Sequence, residues 1–198
     1  MTNENSLRLY TEAHAEKQRY MHDSQTTWSW GKNTEYFFPW FNDTPIRLDE
    51  IIKELDPTSV LDYGCGQGYA MDNLAKQFPN IIFYNYDPYI EKNSTYPIVP
   101  CDLLISNNAL NHVETEFYNQ LVENLYGLCQ NIALFKLYCY SGDGHRSIEW
   151  YIEQFDKLFQ IDSVVIGEPL ATEPEKTMIF LSGQSASTKT PLYLRLSK

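Results

Sequence analysis

The chain predicts an α/β fold: a single domain on a mostly parallel sheet, with an antiparallel strand at the C-terminal end. Three observations carry this. Apolar runs of strand length alternate with segments of helical spacing from residue 46 to residue 183. The connection between residues 167 and 176 is too short for a crossover helix, so the last two strands must be antiparallel neighbours. Finally, 198 residues suffice for one full α/β core but not for two comfortable ones. The chain therefore divides into an N-terminal helix and aromatic segment over 1–45, a core over 46–183 and a tail over 184–198.

Within 6–21, Leu7, Tyr10 and Ala13 recur at three-residue offsets and predict a peripheral helix. Residues 26–45, TTWSWGKNTEYFFPWFNDTP, are aromatic and irregular in period, with Gly31 and Pro39 interrupting them. Such a stretch is too apolar for a linker and should fold back over the core. Asn42 to Thr44 can cap a helix opened by Pro45 and ended by Asp56-Pro57, with Ile46, Leu48, Ile51, Ile52 and Leu55 facing inward. Residues 59–63 form a short strand, and Ala70, Leu74, Ala75 and Phe78 mark a helix that Pro79-Asn80 stops. IIFYNYD, 81–87, has the β-branched and aromatic character of a buried parallel strand. Residues 88–100 are turn-rich and poor in helix signals. A strand over 101–108 leads to a helix starting near Ala109. Strand 130–140, the loop SGDGHR, helix 147–159 and strands at 161–167 and 176–183 complete the core. No internal repeat is visible.

Composition narrows the partners. There is no apolar run of membrane-spanning length, and the start has neither the basic nor the apolar region of a secretory signal. Cys65, Cys101, Cys129 and Cys139 are widely spaced and without a CxxC pair, which fits buried thiols in a reducing, cytoplasmic setting rather than a metal site or disulfide frame. A formal net charge of −11 with scattered basic residues makes nucleic acid an unlikely partner and disfavours anionic membrane.

The chemistry concentrates in VLDYGCGQG, where the strand at 59–63 meets the following helix. Glycines at 64, 66 and 68 permit a sharp turn and close approach of a ligand to the backbone, and the helix start offers open N–H groups. In open parallel sheets ligands bind outside the carboxyl ends of the strands. Asp87 ends the next strand, where a carboxylate can accept hydrogen bonds from both hydroxyls of a ribose. A dinucleotide turn needs G-x-G-x-x-G; here the pattern is G-x-G-x-G behind Asp62, and an acid in that place repels pyrophosphate but attracts an amino group. Those features favour S-adenosylmethionine over NAD.

VLDYGCGQG resembles the first signature of the class I S-adenosylmethionine-dependent methyltransferases, YNYDP their second, and CDLLISNNALNHVE the strand and helix that follow; the resemblance covers about residues 50–182. The aromatic N-terminal segment with LDYGCG and YDP also resembles, more weakly, a compact branch met in bacteriophage genomes. The resemblance implies a Rossmann-like fold whose seven-stranded sheet has an antiparallel last strand. It implies that Asp62 orients the cofactor's amino group and that Gly64, Cys65 and Gly66 line its methionine portion. Asp87 would bind the ribose, Pro88 and Tyr89 would pack by the adenine, and the backbone at Ser106 and Asn107 would complete the amino-acid end. Two departures stand out. Residues 88–100 are too few for the helix, strand and acidic adenine contact usual there, so the sheet is expected to have an abbreviated edge. Asn107, Asn108 and Asn111 occupy a strand end that is often acidic in relatives.

For the methyl acceptor, a small molecule is the leading expectation; a protein, nucleotide or nucleic acid acceptor, or a noncatalytic cofactor-binding role, stay open beside it. His112, placed at the start of the helix after strand 101–108, is the candidate base, or else a packing histidine. Asn107, Asn108 and Asn111 are candidates to orient the acceptor or else satisfy a turn, and His145 is a candidate pocket residue or else an exposed loop residue. Trp28, Trp30 and Tyr36, with the aromatic residues around them, are candidates for a lid that covers the acceptor or else only a sheet edge. The oligomeric state is not legible.

Overall fold

The computed structural model describes residues 9–24, 36–40, 44–97, 99–140, 146–166 and 176–185. Its main sheet has six strands in the order β4-β3-β5-β6-β8-β7. The strands are β3 (Ser59–Tyr63), β4 (Ile82–Tyr86), β5 (Cys101–Asn107), β6 (Cys129–Tyr140), β7 (Phe159–Ile166) and β8 (Lys176–Ser185). β4, β3, β5 and β6 run parallel, whereas β8 is antiparallel to both β6 and β7. The expected antiparallel pairing of the last two strands is thus present, and β8 slots between its two partners.

Helices cover both faces. On one, Leu48, Ile51 and Ile52 of α2 (Leu48–Leu55) and Ala70, Met71 and Leu74 of α3 (Tyr69–Gln77) pack on Val60, Leu103, Ile105, Ile132 and Leu134. On the other, α4 (Tyr118–Leu128) and α5 (Ile148–Asp156) pack on Leu61, Tyr63, Leu104, Ala133, Phe135 and Leu137, joined by Leu9 just before α1 (Glu12–Ser24). The alternation of the two clusters along β3 follows the period-two pleat, and it sends Asp62 to the α2/α3 side with Val60. Burying an Ile51 or Ile52 side chain completely contributes about 1.5–3 kcal/mol.

Three elements differ from the sequence reading. Thr44–Arg47 is not the start of a helix but strand β2, paired antiparallel with β1 (Phe37–Trp40) in a separate hairpin. Pro39 faces Pro45 in that ladder, and a pair without an N–H on either side suits a non-hydrogen-bonded position, where proline forfeits nothing. α2 then opens at Leu48, where the carboxylate of Asp49 accepts from Arg47 at 2.8 Å and from Lys53 at 3.2 Å. β4 is parallel as expected but is an edge strand, not a buried one, with Ile82 57% exposed. The cause is the abbreviated segment after it: between β4 and β5 the described chain makes only a 3-10 turn, Glu91–Asn93, and lays down no outer strand. Finally, the helix expected from Ala109 starts at Tyr118. Two 3-10 turns, Leu110–His112 and Thr115–Phe117, come first, so His112 lies in a turn and not at a helix start.

No helix of the described residues is long and apolar enough to cross a membrane, and no group of His, Cys, Asp and Glu among them is placed to hold a metal ion.

Candidate cofactor site

At the carboxyl end of β3 the chain turns through Gly64, Gly66 and Gly68 with φ of 84°, 55° and 77°, left-handed conformations that side-chain-bearing residues rarely adopt. Each part of this turn is held by a neighbour. The N–H groups of Gly64 and Cys65 both donate to the carbonyl of Tyr86, at 2.7 and 3.1 Å, which ties the turn to the end of β4. A Cβ on Gly64 would lie 2.1 Å from the Cβ of Ala109, so the segment after β5 packs directly on the turn. A Cβ on Gly66 would meet nothing within 4 Å, leaving open space on that side.

Asp87, 5% exposed, reaches across from the β4 end and accepts from the Gly66 N–H and the Tyr89 N–H, each at 2.9 Å. Asn93, from the short segment that replaces an outer strand, donates through Nδ2 to the Gly66 carbonyl at 2.7 Å, while its own carbonyl accepts from the Asp87 N–H at 2.9 Å. Gly66 is therefore clamped through both its N–H and its C=O. The sequence reading missed Asn93, because nothing local marks an asparagine 27 positions from its partner.

Asp62 is fully buried. Its Oδ2 accepts from the Tyr36 hydroxyl at 2.9 Å, and its Oδ1 has no hydrogen-bond partner among the described residues. Burial pushes its carboxyl up to about 7, against the pull of the Tyr36 hydrogen bond, and the nearby Asp87 charge adds to the rise. The Tyr36 hydroxyl is pushed up in turn, first by burial and then by Asp62. Tyr36, a lid candidate from the sequence, thus meets Asp62 at the carboxyl end of β3.

Ser106 is fully buried and donates to the Tyr63 carbonyl at 2.7 Å, locking the end of β5 to the end of β3. Asn107 pairs in register with Lys136 of β6, whose ammonium is shifted down by burial. Asn108 takes a left-handed φ of 60° and donates its N–H to the Lys136 carbonyl at 2.9 Å. The Oδ1 atoms of Asn107, Asn108 and Asn111 are all buried without a partner among the described residues. Pro88 is half-buried beside Asp87, and His112 is half-buried in its 3-10 turn. Cys65 is buried in the glycine turn, where desolvation drives its thiol well above the ordinary range. Trp28, Trp30 and His145 lie outside the described residues.

The N-terminal helix also docks at this end of the sheet. Glu114, two residues past His112, accepts from the Thr11 N–H at 2.7 Å and from its hydroxyl at 2.9 Å, and the same hydroxyl accepts from the His14 N–H at 3.3 Å. Tyr10 and His14 stack at 5.2 and 5.9 Å on Tyr89, which follows Asp87. The Thr11–Glu114 bonds join residues 103 positions apart and, like the ring contacts on Tyr89, are invisible to local pattern.

The arrangement fits a zwitterionic nucleoside: a buried carboxylate oxygen awaiting a donor, beside a glycine turn with room on one side. Comparison with known structures gives the same fold. The structure aligns with the 1,6-didemethyltoxoflavin-N1-methyltransferase of Burkholderia thailandensis at a TM-score of 0.52 and 12% identity, covering 87% of each chain. It aligns with an O-methyltransferase from a Brevibacillus brevis multienzyme, in complex with S-adenosyl-L-homocysteine, at a TM-score of 0.52 and 13% identity over 66% of this chain and 67% of that one. The fold is that of the class I S-adenosylmethionine-dependent methyltransferases, for which S-adenosylmethionine is the methyl donor. A protein-family model described as a methyltransferase domain matches residues 20–158, and the chain belongs to that family. A curated relative, the malonyl-[acyl-carrier protein] O-methyltransferase of Dechloromonas aromatica, is 51% identical over 35 residues; this match spans 18% of the chain and only 13% of that enzyme.

Proposed function

We propose that the protein transfers a methyl group from S-adenosylmethionine to a small-molecule acceptor in the cytoplasm. One observation carries the cofactor part: the partnerless Oδ1 of fully buried Asp62, beside a turn in which three consecutive alternate positions are left-handed glycines. In this reading Asp62 accepts from the cofactor's ammonium. Gly64, Cys65 and Gly66 line the methionine portion, with the backbone at Ser106 and Asn107 closing it. Asp87, which holds the turn by accepting from the Gly66 and Tyr89 N–H groups, binds the ribose. Pro88 and Tyr89 flank the adenine. The two relatives aligned above are an N- and an O-methyltransferase, and the net charge of −11 disfavours an anionic polymer as acceptor.

When bound, the cofactor supplies a methyl group made electrophilic by its sulfonium. The chain's task is then alignment, exclusion of water and, for a hydroxyl or protonated nitrogen acceptor, removal of a proton. Asn108 and Asn111 orient the acceptor through their amides, with Trp28, Trp30 and His145 closing around it from the N-terminal segment and the 141–146 loop. His112 takes the proton. Residues 1–45 serve as the cover, 46–183 as the catalytic core and 184–198 as an arm; the aromatic segment with LDYGCG and YDP supports membership of the compact bacteriophage branch.

Calorimetry with S-adenosylhomocysteine tests the cofactor reading directly: folded protein that does not bind it refutes the proposal. His112→Gln should bind S-adenosylhomocysteine as the parent does, while turnover of a responsive acceptor falls about 10²-fold or more; unchanged turnover removes His112 as the base. A second reading, cofactor binding without catalysis, draws on the amides that replace titrating groups at the end of β5. Tight binding with no methyl transfer to any of a broad set of amines, phenols and carboxylic acids would favour it.

A further inference from the structure

We propose that Tyr36 is a positioning residue for the cofactor's amino-acid end: its hydroxyl fixes one oxygen of Asp62 so that the other faces the ammonium group. This rests on the reading that Asp62 receives that ammonium.

Tyr36 precedes the β1–β2 hairpin and is 26 residues from Asp62 in sequence, yet two bonds fix it there. Its carbonyl accepts from the Leu48 N–H at 2.8 Å, which anchors its backbone to the first turn of α2, and its hydroxyl donates to Asp62 Oδ2 at 2.9 Å. Its ring packs against the apolar cluster of the α2/α3 face, the face toward which Asp62 points. A phenol beside a carboxylate can only donate, so Oδ2 is committed and the carboxylate's rotation is set. Oδ1 is then the open acceptor, buried and without a partner among the described residues.

The bond also favours the charged form of Asp62. A protonated carboxyl cannot serve an ammonium, and burial together with Asp87 favours the protonated form; the Tyr36 hydroxyl opposes both. The groups that face Asp62 are Tyr36 from the N-terminal segment, Cys65 in the turn and Asp87 from the β4 end, with Lys92 of the 3-10 turn near Cys65. None of these is a cation bonded to Asp62, so among the described residues Tyr36 is the group that orients the carboxylate and opposes its protonation.

The test compares Tyr36→Phe with Asp62→Asn by calorimetry, using two probes at a series of pH values that brackets Asp62's titration. S-adenosylhomocysteine carries the amino-acid end; 5′-methylthioadenosine lacks it. Tyr36→Phe, which keeps the ring and its packing, should bind S-adenosylhomocysteine about three- to tenfold more weakly at neutral pH. It should bind 5′-methylthioadenosine as the parent does, and the pH at which S-adenosylhomocysteine affinity is half lost should move upward. Parent-like affinity and midpoint in Tyr36→Phe, with Asp62→Asn selectively weakened for S-adenosylhomocysteine, overturns the role of Tyr36 alone. Equal weakening for both probes in Tyr36→Phe also overturns it, because that is loosening of the site as a whole. If Asp62→Asn treats both probes as the parent does, the placement of the ammonium is wrong and the reading beneath the inference falls first.

Discussion

Asp62 illustrates how a single side chain opposes folding in favour of a site. Its carboxyl is raised from 3.8 to about 7 by burial, so the folded apo-protein holds a proton that the unfolded chain has already released across that interval. With more protons bound in the native state, stability falls as pH rises from about 4 through about 7 and levels off above. Asp62→Asn removes the ionisation and should stabilise the apo-protein above neutral pH by on the order of 1–3 kcal/mol, with little effect near pH 4. Urea unfolding on either side of the transition checks this, and a variant less stable than the parent at high pH would refute it. The same substitution should weaken S-adenosylhomocysteine binding. Asp62 and Asp87 were legible in the sequence because charged residues at the ends of apolar runs stand out. Tyr36 stood out only as one aromatic of a lid, and Asn93 and Glu114 did not stand out, because what gives each its place is a partner 26, 27 or 103 positions away.

The strand-turn-helix unit over 59–77 was readable for a different reason: every local signal in it agrees, from the β-branched and apolar strand through the alternating glycines to the helical spacing beyond. The turn's glycines nevertheless do unequal work. Gly64→Ala places a methyl 2.1 Å from Ala109 Cβ at a φ of 84°, a steric conflict between backbone-attached atoms, and should cost more than about 3 kcal/mol or abolish folding. Gly66→Ala meets no atom within 4 Å and carries only the left-handed penalty of about 1–2 kcal/mol, so the protein should fold. Thermal unfolding separates the two, and comparable losses would contradict the packing described here. Where local signals conflict, the sequence misleads: Pro45 reads as a first helical residue, but its partner across the hairpin is another proline, and that pairing is a tertiary fact. The turns after β5 mislead in the same way. Asn108 in a left-handed conformation breaks the chain's course, so the helical spacing that seemed to begin at Ala109 takes hold only at Tyr118.

Across the whole molecule, the antiparallel pairing of the last two strands was legible from the length of their connection, whereas the insertion of β8 between β6 and β7 was not. The sheet ends at β4 because only a 3-10 turn lies in the described part of the connection to β5, and that turn supplies Asn93 to the cofactor turn. The N-terminal helix is fastened at the far side of the same end by Glu114 and Tyr89. The buried thiols sit at opposite ends of this layout. Cys65 is in the glycine turn, whereas Cys101 and Cys129 are register partners at the start of β5 and β6. Burial keeps all three shielded, and it raises the Cys101 thiol to about 11. The chain thus carries its own pair of chemical clocks. In a Cys139→Ser background, a maleimide should tag Cys65 whenever the turn breathes and the other two only when the sheet comes apart, and saturating S-adenosylhomocysteine should slow the first clock more than the second.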